Sequence, residues 1–198
     1  MDHSSLLSIP LLHSLAGQDT ELPADAMSHI QLVSLERGAT LFDIGQPHPY
    51  LYVVRQGCLK MLYRRDDGRE WVHDFVSEGS FFCSLPALMP GGVSSYACEA
   101  LEPAELERID YRWMEQVATE QSVWQNALLN GWKQHAIRRE LRERDLLILS
   151  PAERYQAFVR QQPDLVQRIP QKDLALFLGV TPVSLSRIRG RLRPVVKC

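Results

Sequence analysis

The sequence predicts an α+β protein with an N-terminal antiparallel β-roll of the jelly-roll type, then one long helix, then a C-terminal helix-turn-helix. Three observations predict this class. Alternating apolar runs between residues 31 and 110 are separated by glycines at a spacing of about eight to twelve residues, typical of an all-β sandwich or barrel. Residues 121–148 carry apolar side chains at helical spacing. Residues 171–190 contain two short helical patterns that meet at a glycine.

The first 110 residues supply a cap and the strands. Leucines at positions 6, 7, 11, 12 and 15 indicate a short helix, which we expect Pro10 to interrupt and which packs against the roll. Strands are predicted at residues 40–42, 51–57, 58–65, 69–76 and 104–110, and a short helix at 111–119. The pair Asp67-Gly68 is a strong hairpin signal between two of these strands.

The long helix at residues 121–148 is amphipathic. Its apolar stripe consists of Trp124, Leu128, Trp132, Ile137, Leu141 and Ile148. A helix of this length has more apolar edge than one roll can cover, so a homodimer is predicted, with packing inside one chain as the alternative. Gly131 costs this helix about 1 kcal/mol relative to alanine, and we interpret it as a point where two helices approach closely.

Residues 150–198 begin with a capping box, Ser150-Pro-Ala-Glu153, that starts a helix ending near Gln162 and marks a hinge. The helix-turn-helix follows. Leu174, Ala175 and Leu178 form the apolar side of its first helix, and Gly179 suits the helix end. Thr181 is the expected N-cap of the second helix, which runs from Pro182 to about Leu192 and buries Leu185 and Ile188.

The second helix has the chemistry of a DNA recognition helix. Serine hydroxyls and arginine guanidinium groups hydrogen-bond to phosphates and guanine edges. The candidate DNA-binding residues are Thr181, Val183, Ser184, Ser186, Arg187, Arg189 and Arg191, with Arg193 as a further phosphate contact. A plain helical hairpin with a solvated basic face is the alternative. A dimer would place two such helices about one DNA turn apart and predicts a palindromic site in double-stranded DNA.

Charge and cysteine usage narrow the functional classes. Residues 150–198 hold nine Lys/Arg and three Asp/Glu, whereas residues 1–149 hold thirteen and twenty-one. This asymmetry favours contact of only the C-terminal part with a polyanion. The four cysteines show no metal-binding spacing; we expect Cys58, Cys83 and Cys98 to be buried and Cys198 exposed. With neither a signal peptide nor a membrane-spanning run evident, we expect a cytoplasmic protein without a membrane partner.

Several segments carry a family resemblance. The run G-x-x-LF-x-x-GQ-x-x-x-YLYVVRQG-x-LK at residues 38–60, followed by DGRE and EGSFF, resembles the cyclic-nucleotide-binding roll of the Crp/Fnr transcription regulators. The order of roll, long helix and helix-turn-helix is also that of the family. The resemblance implies a sensor domain at 1–120, a dimerisation helix and hinge at 121–149, and a DNA-binding domain at 150–198, with RNA polymerase as a candidate partner.

The resemblance also bears on which residues read the DNA. The family's usual Arg-Glu-x-x-x-Arg readers align with Pro182-Val183 and Arg187, so only the last arginine is present. Arg187 is therefore our candidate for a guanine contact, and Val183 for contact with a thymine methyl group. The family commonly continues into a β-hairpin wing, for which the last residues leave almost no room.

The effector site implied by the resemblance is altered. Members that respond to cyclic AMP carry Gly-Glu for the ribose and Arg-Ser for the phosphate, where this chain aligns Cys83-Ser84 and Ser94-Ser95. The helix residues that face the adenine align with Arg139-Glu140. Both charged anchors are missing, so we predict no tight binding of cyclic AMP or cyclic GMP. The candidate pocket residues are Cys83, Ser84, Leu85, Ser94, Ser95 and Arg139; no cofactor is predicted and the effector is unnamed.

Three alternatives stay open at this stage. A sensor for another small ligand, or for haem held by His73, Cys83 or His135, would still bind DNA. A cupin-like metal enzyme would need clustered histidines and carboxylates, and His48 and His73 are far apart in the sequence. A nucleotide-sensing module without DNA binding is the third. The helix-turn-helix pattern favours a DNA-binding transcription regulator over an enzyme.

Overall fold

A computed structural model describes residues 6–19 and 21–192 of the chain. In this part the helices are Ser8–Ala16 (α1), Ala26–His29 (α2), Leu85–Leu88 (α3), Tyr111–Glu120 (α4), Ser122–Ile148 (α5), Pro151–Gln161 (α6), Leu165–Arg168 (α7), Gln171–Leu178 (α8) and Pro182–Leu192 (α9). The strands are Ile30–Leu35 (β1), Thr40–Phe42 (β2), Tyr50–Gln56 (β3), Leu59–Arg64 (β4), Glu70–Val76 (β5), Phe81–Phe82 (β6), Ala97–Ala100 (β7) and Ala104–Asp110 (β8). Arg193 and Cys198 lie outside the described residues.

The strands form two four-stranded antiparallel sheets, in the orders β1-β8-β3-β6 and β2-β7-β4-β5. This confirms the α+β class with an N-terminal roll. The five predicted strands are present as β2, β3, β4, β5 and β8, and Gly68 has a φ of 78° in the predicted hairpin between β4 and β5. The strands β1, β6 and β7 were not predicted, and β6 and β7 are too short to show an alternation.

The expectation that Pro10 interrupts the N-terminal helix is wrong. Pro10 does not interrupt the helix but lies in the first turn of α1, where a backbone N–H would have no partner inside the helix. The start of α1 is held instead by Glu107 of β8, which is fully buried. Its two carboxylate oxygens accept the N–H groups of Leu7 and Ser8, each at 2.7 Å. A buried carboxylate therefore ties the cap to the roll.

The long helix α5 has two different halves. Its first half packs against α1 and α4 and buries Trp124 and Ala127. A Cβ built on Gly131 would lie 3.7 Å from Leu15 Cδ1 and 3.8 Å from Phe81 Cζ, so the close approach expected there occurs within the chain. The second half exposes apolar side chains: Ile137 is 57% exposed and Ile148 is 68% exposed.

The C-terminal helices pack against the roll and form one apolar core with its second sheet. Phe75 of β5 contacts Phe158 of α6 and Phe177 of α8, with ring centroids 6.1 and 5.2 Å apart. At the edge of this core, Arg168 of α7 forms ion pairs with Glu78 and Glu102. The capping box at Ser150 is formed as predicted, with reciprocal bonds to Glu153 of 2.8 and 3.4 Å. The helix-turn-helix is therefore fixed against the sensor roll in this structure.

Candidate nucleic-acid interface and effector cavity

The helix-turn-helix has the geometry that its sequence predicts. Leu174, Ala175, Leu178 and Leu185 are almost completely buried between α8 and α9. Gly179 ends α8 with a φ of 69°, a left-handed conformation that favours glycine. Thr181 caps α9, because its Oγ1 accepts the N–H of Ser184 at 3.1 Å. The local signals thus set the angle at which the second helix leaves the first.

The predicted DNA-reading face of α9 is accessible. Thr181, Ser186, Arg187 and Arg191 are exposed, and Val183 keeps 61% of its surface exposed. Ser184 and Arg189 are half-buried, and the Ser184 hydroxyl accepts a 3.0 Å hydrogen bond from Thr181 Oγ1. Since Leu185 faces the core, the helix presents a polar and cationic surface opposite its buried side. The arrangement fits insertion into a DNA groove.

The predicted effector residues inside the roll already bond to one another. Ser84 and Ser94 are buried. The Ser84 hydroxyl accepts the N–H of Ser95 at 3.3 Å, and the Ser94 hydroxyl donates to the Tyr96 carbonyl at 2.7 Å. The Tyr96 hydroxyl donates to the Cys83 carbonyl at 2.5 Å. Ser95 and Leu85 are exposed. Cys83, Ser84 and Ser94 thus form a locally satisfied polar cluster with Tyr96.

A cavity of about 680 Å³ lies outside this cluster, and Arg139 is the one predicted effector residue that lines it. Its walls come from β5, the second half of α5, α6 and α8. Five arginines share these walls with aromatic side chains of the common core: Arg138, Arg139, Arg142, Arg144 and Arg154. This size is within the range of small-molecule pockets.

Burial and positive charge perturb the titration of groups in this cavity. Burial, followed by Arg139, Arg142 and His135, lowers the pKa of His73 to about 3. Burial lowers the pKa of Arg142 to about 10; the nearby Asp74 opposes this shift, and Arg154 adds to it. Burial also raises the pKa of Asp74. His73 is therefore a neutral hydrogen-bonding group near pH 7.

The cysteines and histidines do not make a metal site within the described ranges. No group of three His, Cys, Asp or Glu side chains there could hold a metal ion. Cys58, Cys83 and Cys98 are buried free thiols, as predicted, and burial raises the pKa of Cys58 and of Cys83 to about 12. In the same part of the chain, no helix has the length and apolarity needed to cross a membrane.

Comparison with known proteins identifies the roll. Residues 32–121 match the family described as the cyclic nucleotide-binding domain. The chain is 24% identical over 177 residues to the global nitrogen regulator of Synechococcus elongatus, covering 83% of this chain and 79% of that protein. It is 26% identical over 91 residues to the cAMP-activated global transcriptional regulator CRP of Pasteurella multocida, covering 46% of this chain and 44% of CRP. The roll therefore belongs to the cyclic nucleotide-binding domain family, and the chain as a whole is similar to transcription regulators of the Crp/Fnr type.

Several solved structures share the fold over most of the chain. FixK2 from Bradyrhizobium japonicum superposes with a TM-score of 0.70 at 19% identity, covering 82% of this chain and 84% of FixK2. A CooA mutant from Carboxydothermus hydrogenoformans gives 0.68 at 16% identity, covering 92% and 84%. CLP from Xanthomonas campestris gives 0.64 at 20% identity, covering 84% and 88%. Both curated relatives are transcription regulators and neither is an enzyme, in agreement with the predicted class.

Sequence reasoning missed Arg142 and Arg154 as cavity residues. Both belong to segments rich in charged residues, which predict a solvated surface. Arg138 and Arg142 are four residues apart and so share a helix face, a signal that was available in the sequence. That this face meets α8 depends on contacts between distant segments, which no local pattern shows. His73 and His135 both line the cavity, whereas Cys83 does not.

Proposed function

We propose that the chain is a sequence-specific DNA-binding transcription regulator that acts as a homodimer and reads DNA with α9. The observation that carries this proposal is the exposed row of Val183, Ser186, Arg187 and Arg191 opposite buried Leu185. The positive charge excess of residues 150–198 supports contact with phosphates. We also propose that the protein is cytoplasmic and that it contacts RNA polymerase.

The dimer part of the proposal rests on the second half of α5. Ile137, Leu141 and Ile148 are 57%, 44% and 68% exposed. They are spaced four and seven residues apart, which is the spacing of a coiled-coil seam. A second copy of the same helix would cover them. The resulting two-fold symmetry would present two α9 helices to a palindromic DNA site.

The effector part of the proposal excludes tight binding of cyclic AMP or cyclic GMP. The predicted cassette residues Ser84 and Ser94 provide hydroxyls already bonded within the roll, and no arginine stands at Ser94-Ser95 to hold a cyclic phosphate. The relatives themselves differ in effector: CRP of Pasteurella multocida is cAMP-activated, and CLP is described as c-di-GMP responsive. The family fold alone therefore does not fix the effector.

Three measurements test this function. Sedimentation of the purified chain should give a dimer, and selection from random DNA should recover a palindrome. Calorimetry with cyclic AMP and cyclic GMP should show no micromolar binding. A monomer that ignores DNA at low ionic strength would contradict the proposal, and micromolar affinity for either nucleotide would contradict its effector part.

A further inference from the structure

The cavity between the roll and the DNA-binding domain carries positive charge that the protein itself does not neutralise. In residues 6–19 and 21–192, no carboxylate forms an ion pair with Arg138, Arg139, Arg142 or Arg154. Arg168, in contrast, forms pairs with two glutamates at the edge of the common core. Unpaired guanidinium groups in a partly enclosed site favour an anionic ligand.

The four arginines contact uncharged groups instead. Arg139 Nη1 lies 3.2 Å from His73 Nδ1, and its Nη2 lies 3.4 Å from the Tyr63 hydroxyl. Arg142 donates to the Phe177 carbonyl and lies 3.6 Å from the centre of the Phe177 ring. Arg154 donates to the carbonyls of Leu149 and Leu178 at 2.6 and 2.9 Å, and Arg138 lies over the ring of Phe81. Their positions are thus fixed without a direct ion pair, although Asp74 acts electrostatically on Arg138, Arg139 and Arg142.

Two buried donors in the cavity wall have no partner. Arg142 Nε and His73 Nε2 are both buried and, within the described part of the chain, neither forms a hydrogen bond. Because a guanidinium group can only donate, His73 Nδ1 accepts from Arg139, and the proton of the neutral ring is on Nε2. Both unpartnered atoms are therefore N–H donors. A buried donor without an acceptor is costly, so the site favours a ligand that supplies oxygen acceptors.

The carboxylates that line the same cavity neutralise only part of its positive charge. They are Asp74, Glu143 and Asp145. Burial raises the pKa of Asp74, and its Oδ1 accepts the Phe75 N–H at 2.9 Å. Asp145 is paired with Arg144 at 2.7 Å. With both histidines neutral, the five arginines that line the cavity outnumber these three acids.

The rest of the wall is apolar and aromatic. The rings of Trp71, Phe75, Phe158 and Phe177 line the cavity, together with aliphatic side chains of α5 and α8. Stacking surfaces of this kind favour a ligand with a flat or apolar body, because a small inorganic ion would leave them in contact with water. The cavity wall therefore favours ligands of a particular shape as well as of negative charge.

We propose that this cavity binds an organic anion with an apolar or aromatic body, whose acid group is held by Arg142, Arg139 and His73. This site is separate from the serine cluster inside the roll. Ser84 and Ser94 belong to that cluster and do not line the cavity. Its position also links it to DNA reading. Arg142 and Arg154 bond to the carbonyls of Phe177 and Leu178, the last two residues before the turn that leads to α9.

The linkage to DNA rests on the proposed function. An acid group that draws Arg142 toward itself competes with the Phe177 carbonyl, so binding changes the contacts that hold the end of α8 to α5. By thermodynamic linkage, a ligand that alters these contacts alters the affinity of the protein for DNA, and DNA alters the affinity for the ligand by the same factor.

The binding part is tested with two dyes of nearly the same shape on the full-length protein. 1-Anilinonaphthalene-8-sulfonate carries an acid group, and N-phenyl-1-naphthylamine is its uncharged counterpart. We expect the sulfonate to bind more tightly. We expect Arg142→Gln to weaken sulfonate binding by about tenfold, the size of one lost charge-assisted bond, and to leave the neutral dye almost unchanged.

The matched control is Arg160→Gln, which removes the same charge from an exposed residue outside the cavity wall. It should leave both affinities unchanged. Arg139→Gln changes an exposed side chain and serves as the second variant if Arg142→Gln does not fold. Equal affinities for the two dyes, or equal effects of Arg142→Gln and Arg160→Gln, would overturn the proposal.

The linkage part is tested by measuring DNA affinity with and without saturating sulfonate dye. We expect a change in the wild-type protein that is absent in Arg142→Gln, and an unchanged affinity in the wild type would overturn the linkage. Failure of the wild type to bind any DNA would contradict the proposed function instead. The dye titrations need no DNA, so the two failures are distinguishable.

Discussion

The ammonium group of Lys60, on β4 of the roll, lies 3.1 Å from a carboxylate oxygen of Asp173, on the first helix of the helix-turn-helix. The two side chains are only 12% and 9% exposed. Lys60 also lies 3.1 Å from Glu99 of β7. One lysine thus connects a sheet of the roll directly to the helix-turn-helix across 113 residues of sequence. This buried ion pair therefore helps to fix the orientation of the helix-turn-helix relative to the roll.

The Lys60–Asp173 pair predicts that Asp173→Asn loosens the DNA-binding domain. Removing one member of a buried pair leaves the other charge poorly compensated, but Lys60 keeps Glu99. We therefore expect a loss of about 1–3 kcal/mol in the free energy of unfolding, with faster proteolysis between α5 and α6. Glu70→Gln is the control, because it breaks the more exposed Arg64–Glu70 pair and should cost less than about 1 kcal/mol. Equal losses would show that Asp173 has no special role.

Arg187 is the residue to which we assign specific DNA reading. A guanidinium group that hydrogen-bonds to a guanine contributes about 1–3 kcal/mol of discrimination. Arg187→Ala should therefore weaken binding to the selected site by about ten- to a hundredfold, and binding to random DNA much less. Fluorescence anisotropy with both DNAs measures this ratio. Arg160→Ala, which removes the same charge elsewhere in the domain, should not change the ratio, and an equal loss on both DNAs from Arg187→Ala would contradict base reading.

The exposed stripe of α5 predicts how dimerisation can be removed without unfolding the chain. Ile137 is 57% exposed, so Ile137→Glu leaves the core of one chain intact, but it would place two carboxylates face to face in a dimer. We expect sedimentation as a monomer, unchanged circular dichroism and loss of most of the affinity for a palindromic site. Leu32→Glu, at a 48% exposed position on β1, is the control and should remain a dimer.

The parts of this protein that could be predicted from its sequence are those set by neighbouring residues. The Asp67-Gly68 hairpin, the Ser150 capping box and the turn at Gly179 each depend on a few adjacent side chains, and each is present. The packing of the C-terminal helices on the roll depends on contacts between distant segments, such as Phe75 with Phe177. The cavity that results from this packing was therefore not predictable, although its arginines were visible in the sequence.

Gly131 and Gly57 predict opposite responses to the same substitution. A Cβ at Gly131 would meet its nearest atom at 3.7 Å, which is ordinary contact, in a helix interior that favours alanine. Gly131→Ala should stabilise the protein by about 0.5–1 kcal/mol. At Gly57 the φ is 99° and a Cβ would lie 2.6 Å from the Pro103 carbonyl oxygen, so Gly57→Ala should destabilise strongly. Urea unfolding of both variants measures the difference, and a destabilised Gly131→Ala would show that α1 cannot accommodate the methyl group.

Two half-buried histidines predict that stability falls in mild acid. Burial, assisted by Arg108, lowers the pKa of His48 from 6.5 to about 4, and burial with the nearby positive charges lowers that of His73 to about 3. Below pH 6.5 the unfolded chain therefore binds protons that the folded chain does not, so the free energy of unfolding decreases as pH falls toward 4. The urea midpoint should drop between pH 7 and pH 5.

The matching variant is the double substitution His48→Gln and His73→Asn, which should flatten this pH dependence. Glu78 does not affect the measurement above pH 5. Its bond to Arg168 lowers the pKa of Glu78 from 4.5 to about 2, so its contribution to the free energy of unfolding is lost only at lower pH. If the double variant kept the full slope between pH 7 and pH 5, the protons would be taken up elsewhere and His73 would not be the neutral donor that the cavity requires.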